Sequence, residues 1–361
     1  MVSPLESPAD SILQEDLEVV ASSPLLPLDA LRGKTLLVTG ATGLVGSQTV
    51  RALAACNRLR GANITILALV RSPEKARQVF GDLLERPGIR LITGDVTQPL
   101  TIDGRVDYII HGASVTASKE MVTRPVETIR TALEGTRNIL ELAREKQVES
   151  CVYISSMEAY GSPDPSLEQV TETDYGYIDF LNVRSCYPEG KRMAECLCAC
   201  YAHEYGVPVK MARLAQTFGA GVGWKENRVF AQFAKSLLTG QDIVLHTDGS
   251  STGNYCYTRD AVLGLLVLLV KGENGQAYNI NNENAVATIR DMAHMVAARS
   301  EGKIQVVFDI PPDSLTYGYA PPVTMHLSAA KMKALGWTAQ VDLPEMYDRL
   351  IASLRLEQET E

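Results

Sequence analysis

The sequence predicts an α/β protein: a doubly wound parallel sheet with a smaller C-terminal lobe. Three observations carry that expectation. Short apolar runs alternate with amphipathic helical segments from Lys34 to about residue 215, and strands buried on both faces need helices on each side. A glycine-rich turn, Gly40-Ala-Thr-Gly43-Leu-Val-Gly46, joins the first run to the first helix. The length, 361 residues, suits roughly two units at about 150 residues each.

Residues 1–32 show one amphipathic stretch, 12–20, and read as an appendage. TLLVTG after Lys34 is β-rich and closes on a glycine. ITILALV (64–70) reads as a strand, 73–84 as a helix, IRLITGD (89–95) and VDYIIHGAS (106–114) as further strands. Residues 128–146 place Ile129, Leu133, Ile139, Leu140 and Ala143 at helical spacing. SCVYISS (150–156) and VKMARLA (209–215) are strands around a helix at 186–205. Beyond 218 the pattern loosens. Helices are expected at 230–238 and 261–270, with a turn-rich hairpin (TDGSSTGNY) between them. Paired prolines punctuate the chain at Pro311-Pro312 and Pro321-Pro322. The expected division is 33–218 for the main domain and 219–361 for the smaller lobe, with the chain re-crossing a soft boundary.

Composition excludes several classes. Hydrophobic residues make up 45% and charged residues 21%, which fits a folded globular chain rather than a disordered one. A formal net charge of −9 without a basic block argues against nucleic-acid binding. No apolar run approaches the roughly 20 residues of a membrane span, and the acidic N-terminus lacks the pattern of a signal peptide. Seven cysteines without a framework spacing suit a reducing cytoplasm. Cys196, Cys198 and Cys200 alternate along a helix, so they do not share a face. They read as small core residues, and no metal site is expected.

The glycine turn points to a dinucleotide. Gly40 makes the tight turn, Gly43 lets a diphosphate approach the backbone, and Gly46 lets the helix pack closely. The helix N-terminus, with Thr42, Leu44 and Val45, attracts negative charge. An acid at the end of the second strand would favour NAD. Here the strand ends Val70-Arg71-Ser72, and Arg71 with Ser72 could bind the 2′-phosphate of NADP or simply be solvated. Asp95 and Val96 fall where an adenine ring would lie, and Asp95 could equally be a turn aspartate.

Tyr187-Pro-Glu-Gly-Lys191 sets a tyrosine and a lysine on one helix face. A free tyrosine titrates near pH 10. A neighbouring ammonium favours the phenolate, which makes a general base. Ser156, ending the strand before that helix, could bond the reacting hydroxyl.

These motifs resemble those of the extended short-chain dehydrogenase/reductases, the NAD-dependent sugar epimerase/dehydratase family. The carriers are TGATGLVG, GDV (94–96), IIHGAS (109–114), SSMEAYG (155–161), RSCYPEGKRMAE (184–195) and RLAQTFG (213–219). Within the family the chain looks most like UDP-glucuronate decarboxylases. The resemblance implies a Rossmann-type fold with a substrate-binding C-terminal lobe, an NAD cofactor, a nucleotide-sugar substrate and a homodimer. It implies cofactor contacts from the glycine turn, Ala113, Tyr187 and Lys191. It implies catalysis by Tyr187, Lys191, Ser156 and Glu158, with Glu158 open to a plain reading as a turn carboxylate. On the substrate side the expected residues are Thr116, Lys119, Gln216, Arg228 and Arg259, with Lys119 open to a plain reading as a solvated lysine and Arg259, six residues past Gly253, open to pointing elsewhere.

The chemistry implied is oxidation of the sugar 4-OH, tyrosine taking the proton as hydride leaves. The 4-ketone turns a C6 carboxylate into a β-keto acid. A 4,6-dehydratase of the family carries Asp then Glu after its Ser/Thr; here the pair is Met157-Glu158, which leaves decarboxylation first and 4-epimerisation second. Some positions depart from the family. Gly253 stands where a loop arginine grips the substrate diphosphate, Gln216 replaces an asparagine, and Ala220 replaces a proline. A different nucleotide, such as CDP, or an activated polyol therefore stays open, as does an NADPH-dependent carbonyl reductase.

Overall fold

The computed structural model describes residues 4–310 and 323–360. The two proline pairs singled out above lie outside the described residues.

Two helices, α1 (Ser11–Ser22) and the single turn α2 (Leu28–Leu31), lead into β1 (Thr35–Thr39). Then follow α3 (Leu44–Arg60), β2 (Thr65–Val70), α4 (Pro73–Phe80), β3 (Ile89–Thr93) and β4 (Tyr108–His111). Next come α5 (Ser118–Thr123), α6 (Pro125–Lys146), β5 (Ser150–Ser156), α7 (Cys186–Tyr205) and β6 (Val209–Leu214). The remainder runs β7 (Gln216–Phe218), α8 (Val229–Thr239), β8 (Ile243–Leu245), β9 (Thr252–Tyr257), α9 (Thr258–Lys271) and β10 (Ala277–Ile280). It ends with β11 (Asn282–Thr288), α10 (Ile289–Ala298), β12 (Val306–Phe308), α11 (Ala330–Ala334) and α12 (Leu343–Thr360).

Seven strands form the main sheet in the order β10-β6-β5-β4-β1-β2-β3, every neighbouring pair parallel. Leu36, Val38, Ile66, Ile110, Val152 and Ala212 are fully buried along it, as strands covered on both faces should be. The strand order reverses between β1 and β4. Open α/β sheets bind ligands in the crevice at that reversal, outside the carboxyl ends of the strands. The smaller lobe packs Phe218 flat against Phe230, ring centroids 4.6 Å apart, beside Tyr347.

Several boundaries differ from expectation for local reasons. The helix expected at 73–84 stops at Phe80, because Gly81 turns left-handed (φ +50°) and residues 81–85 tighten into a 3₁₀ turn. The helix expected from 128 starts three residues earlier, with Pro125 in its first turn. The expected hairpin does not form: β8 pairs with β12, and β9 pairs with β7 and β11. β10 pairs with β6 at the edge of the main sheet. Residues 4–32 are no loose appendage. Leu13, Leu17, Val20 and Ala21 bury one face of α1 in the main core, against α3 and α9. Of the three alternating cysteines only Cys198 is buried; Cys196 and Cys200 are exposed on the opposite face of α7. No helix among the described residues is long and apolar enough to cross a membrane.

Candidate active site

The crevice is built from the ends of β1, β4 and β5. After β1, Gly40 adopts φ +66°, and a Cβ there would stand 2.7 Å from the Gly112 backbone that follows β4. A Cβ on Gly46 would stand 2.2 Å from the Gly40 carbonyl, so α3 can pack onto the turn only with glycine at that position. Gly43 caps α3 without a side-chain hydrogen bond and is exposed, as are its immediate surroundings in part. The first N–H groups of α3 therefore face the crevice with Thr42, Leu44 and Val45 around them.

His111, the last residue of β4, braces this turn. It is buried, and burial pushes its imidazole down to about 3, with Lys191 adding to the effect, so the ring is neutral. Thr39 Oγ1 accepts from the Ala113 amide at 3.2 Å and lies 2.7 Å from His111 Nδ1. On the other side of the ring, Nε2 faces Thr136 Oγ1 at 3.3 Å. That strut ties β1, β4 and α6 together at the reversal. It was not read from the sequence, although His111 lies inside IIHGAS.

β5 delivers the catalytic side. Its last residue, Ser156, accepts from the Glu158 amide at 3.2 Å as a 3₁₀ turn (Met157–Tyr160) begins. Tyr187 sits in the first turn of α7 and Lys191 one turn on. Lys191 is 3% exposed and donates to the Ile154 carbonyl at 2.8 Å. Its ammonium stands 5.6 Å from the Tyr187 ring centroid and 4.8 Å from that of Tyr153. Burial pushes that ammonium down to about 8. Burial likewise pushes the Tyr187 phenol up to about 12, and the Glu158 carboxylate adds to the rise. A hydrogen bond with Ser156 and the charges of Arg184 and Arg228 pull the other way.

Ser156, Glu158, Tyr187, Lys191 and Arg228 are therefore brought together, with Arg184 as an unanticipated member. Arg184 stands in the short turn before α7, where Asn182 caps the backbone, and its Nη2 grips both Glu158 oxygens at 2.9 and 3.2 Å. Its Nε is buried with no hydrogen-bond partner among the described residues. The arginine heads the RSCYPEGK run, and that position was its only signal in the sequence.

The other expected residues divide. Arg71 is exposed at the end of β2, whereas Ser72 caps α4 through the Lys75 amide (3.1 Å). Asp95 closes a turn onto Thr97, and Val96 is buried beneath α6, where Asn138 bonds its carbonyl at 2.8 Å. Thr116, Lys119 and Gln216 are exposed. Arg228 caps α8 and pairs with Glu226 at 2.8 Å. Arg259 corrects an expectation. It is bound to Asp16 of α1 at 3.1 Å and is largely buried, which removes it from the substrate-facing set.

A glycine turn at a sheet reversal, with a serine, a tyrosine and a lysine converging beside it, defines an enzyme of the extended short-chain dehydrogenase/reductase type. Comparison narrows the class: a model described as the NAD dependent epimerase/dehydratase family matches residues 36–281, and the chain belongs to that family. It is 32% identical to UDP-glucuronic acid decarboxylase 6 of Arabidopsis thaliana, over 86% of this chain and 85% of that protein. Its fold matches that of a UDP-glucose 4-epimerase from Thermotoga maritima solved with UDP-glucose (TM-score 0.75, 20% identity, 91% of this chain and 100% of the other). It also matches a dTDP-glucose 4,6-dehydratase from Streptomyces venezuelae solved with NAD and TYD (TM-score 0.75, 24% identity, 90% and 97%).

Proposed function

We propose that this enzyme modifies a nucleotide sugar by transient oxidation at C4, with decarboxylation of a UDP-glucuronate-like substrate as its reaction. The observation that carries the reading is the cluster of Ser156, Tyr187 and Lys191 with Glu158 held by Arg184, while Met157 occupies the place of a dehydratase acid. The similarity to UDP-glucuronic acid decarboxylases supports it.

The glycine turn fits a dinucleotide: Gly40, Gly43 and Gly46, with Thr42, Leu44 and Val45, would hold its diphosphate, and Ala113, Asp95 and Val96 would flank the rest. A bound nicotinamide supplies the acceptor, and then the donor, of one hydride. Tyr187 takes the 4-OH proton and Ser156 orients that hydroxyl; the Ser156 hydrogen bond and the charges of Arg184 and Arg228 favour the phenolate, with the Lys191 ammonium 5.6 Å from the ring. Once C4 is a ketone, the C5–C6 bond breaks as CO₂ leaves; its electron pair forms the C4 enolate, which takes a proton at C5 before hydride returns to C4. Glu158 and Arg184 stand beside the phenol to hold the sugar and manage the returning proton. Arg228, with Thr116, Lys119 and Gln216 nearer solvent, would meet the substrate's phosphates and sugar. A homodimer in the cytoplasm completes the reading; exposed Val126 and Ile129 on α6 and Met193 on α7 offer it apolar surface.

Incubation with UDP-glucuronate and NAD or NADP, followed by proton NMR, tests the reading. A pentose signal set supports decarboxylation. A galacturonate set moves the reaction to 4-epimerisation, and an unchanged spectrum rejects the substrate. A second reading, NADPH-dependent carbonyl reduction, draws on the exposed Arg71. It requires net consumption of reduced cofactor, which a recycling enzyme does not show.

A further inference from the structure

We propose that the N-terminal helix α1 is a working part of the substrate side, and that Asp16 is a positioning residue for the loop 219–228 and, through it, for Arg228. The loop joins β7 to α8 and has no regular structure of its own, so its amides need partners from elsewhere. Two side-chain hydroxyls supply them. The Ala220 amide donates to Tyr257 Oη at 3.3 Å, and the Gly221 amide donates to Ser353 Oγ at 2.9 Å.

Each hydroxyl in turn gives its proton to a carboxylate of α1. Tyr257 donates to Asp16 Oδ2 at 2.5 Å, and Ser353 donates to Asp10 Oδ2 at 2.5 Å. A hydroxyl has one proton, so giving it to the carboxylate leaves its lone pairs to accept, from the loop amide and, at Tyr257, also from Arg349 Nε at 3.1 Å. The result is two parallel relays, carboxylate to hydroxyl to amide. They run from α1 through the end of β9 in one case and through α12 in the other.

Packing supports the same reading. A Cβ on Gly219 would stand 2.4 Å from the Tyr257 ring, so the ring lies flat against the start of the loop. Leu13 of α1 approaches Gly221, and Gln48 of α3 donates to the Ala220 carbonyl at 2.6 Å. Asp16 is itself fixed by Arg349 at 2.8 Å and Arg259 at 3.1 Å. Farther along, the Trp224 amide bonds Glu357 of α12 at 2.8 Å, and the loop ends at Arg228, whose charge acts on Tyr187. A segment ahead of the first strand thereby fixes the loop that ends at Arg228.

Hydrogen exchange on the full chain tests this directly, with Tyr257→Phe and Asp16→Ala as variants and UDP as the binding probe. Tyr257→Phe removes the relay while sparing the Asp16 ion pairs, so it reads the loop even if Asp16→Ala folds poorly. Both variants should exchange faster at residues 219–228 and bind UDP about tenfold more weakly, the scale of a lost charge-assisted hydrogen bond. NAD affinity should change less than twofold. In an Arg228→Ala background Tyr257→Phe should cost UDP nothing further, as coupled sites require. Unchanged exchange at residues 220 and 221 in Tyr257→Phe would overturn the proposal, as would equal losses of UDP and NAD. The UDP arm rests on the function proposed above and the exchange arm does not. A wild type that binds NAD but not UDP sinks that function and leaves the exchange result to decide the role of Asp16.

Discussion

Arg184 Nη2 holds both carboxylate oxygens of Glu158, at 2.9 and 3.2 Å, in the crevice that also contains the Tyr187 phenol. The pair is partly buried, with side-chain exposures of 16% and 32%, so it lies within reach of solvent and of a ligand. The planar guanidinium of Arg184 is what holds the two oxygens together. Arg184→Lys keeps the charge but loses the planar fork. In the proposed reaction, turnover of UDP-glucuronate should fall about 10- to 100-fold, the range of one charge-assisted hydrogen bond, with cofactor affinity unchanged. Steady-state kinetics beside a cofactor titration checks both halves.

Lys191 sits where a charge is costly. Its ammonium is pushed down to about 8 by burial, from an ordinary value near 10.5. Below about pH 8 both folded and unfolded chains carry the proton, and the folded state bears the desolvation penalty in full. Between about 8 and 10.5 the unfolded chain binds the proton more tightly, so this group's penalty is relieved as pH rises. Lys191→Met should therefore raise the melting temperature by a few degrees at pH 7 while abolishing turnover, and the gain should shrink towards pH 10. Thermal melts at the two pH values check the sign.

Two glycines of one turn should fail differently. A Cβ on Gly46 meets the Gly40 carbonyl at 2.2 Å, whereas one on Gly43 meets the same atom at 3.3 Å and otherwise faces the crevice. Gly46→Ala should lower the melting temperature and cofactor binding together. Gly43→Ala should melt close to the wild type and lose mainly cofactor affinity. Calorimetric melts paired with NAD titration separate the two cases.

Arg71 stands exposed beyond β2. Arg71→Ala should weaken NADP at least tenfold more than NAD, since a 2′-phosphate contact is charge-assisted. Equal losses for both cofactors would remove the 2′-phosphate role.

The main sheet was legible because its strands are buried on both faces and so run almost unbroken in apolar residues, as 35–39 and 65–70 do after their first threonine. The Tyr187–Lys191 pair was legible because helical spacing alone puts the two on one face. What escaped notice depends on contacts between distant segments. Arg259 looked like a substrate ligand until Asp16, 243 positions away, claimed it. The amphipathic stretch at 12–20 was visible, but nothing local says which surface it covers. The expected hairpin failed because β8 and β9 each found a partner elsewhere, which turn residues cannot reveal. His111 and Arg184 went unassigned because their partners, Thr39 and Glu158, lie 72 and 26 residues away.

In the proposed reaction one hydride leaves C4 and returns to it within a turnover. The most direct measurement uses UDP-glucuronate deuterated at C4, with the product read by NMR and mass spectrometry. The expected result is a pentose product retaining deuterium at C4, with no net change in the nicotinamide absorbance. Product that has lost the label to solvent, or turnover that consumes cofactor stoichiometrically, would contradict it.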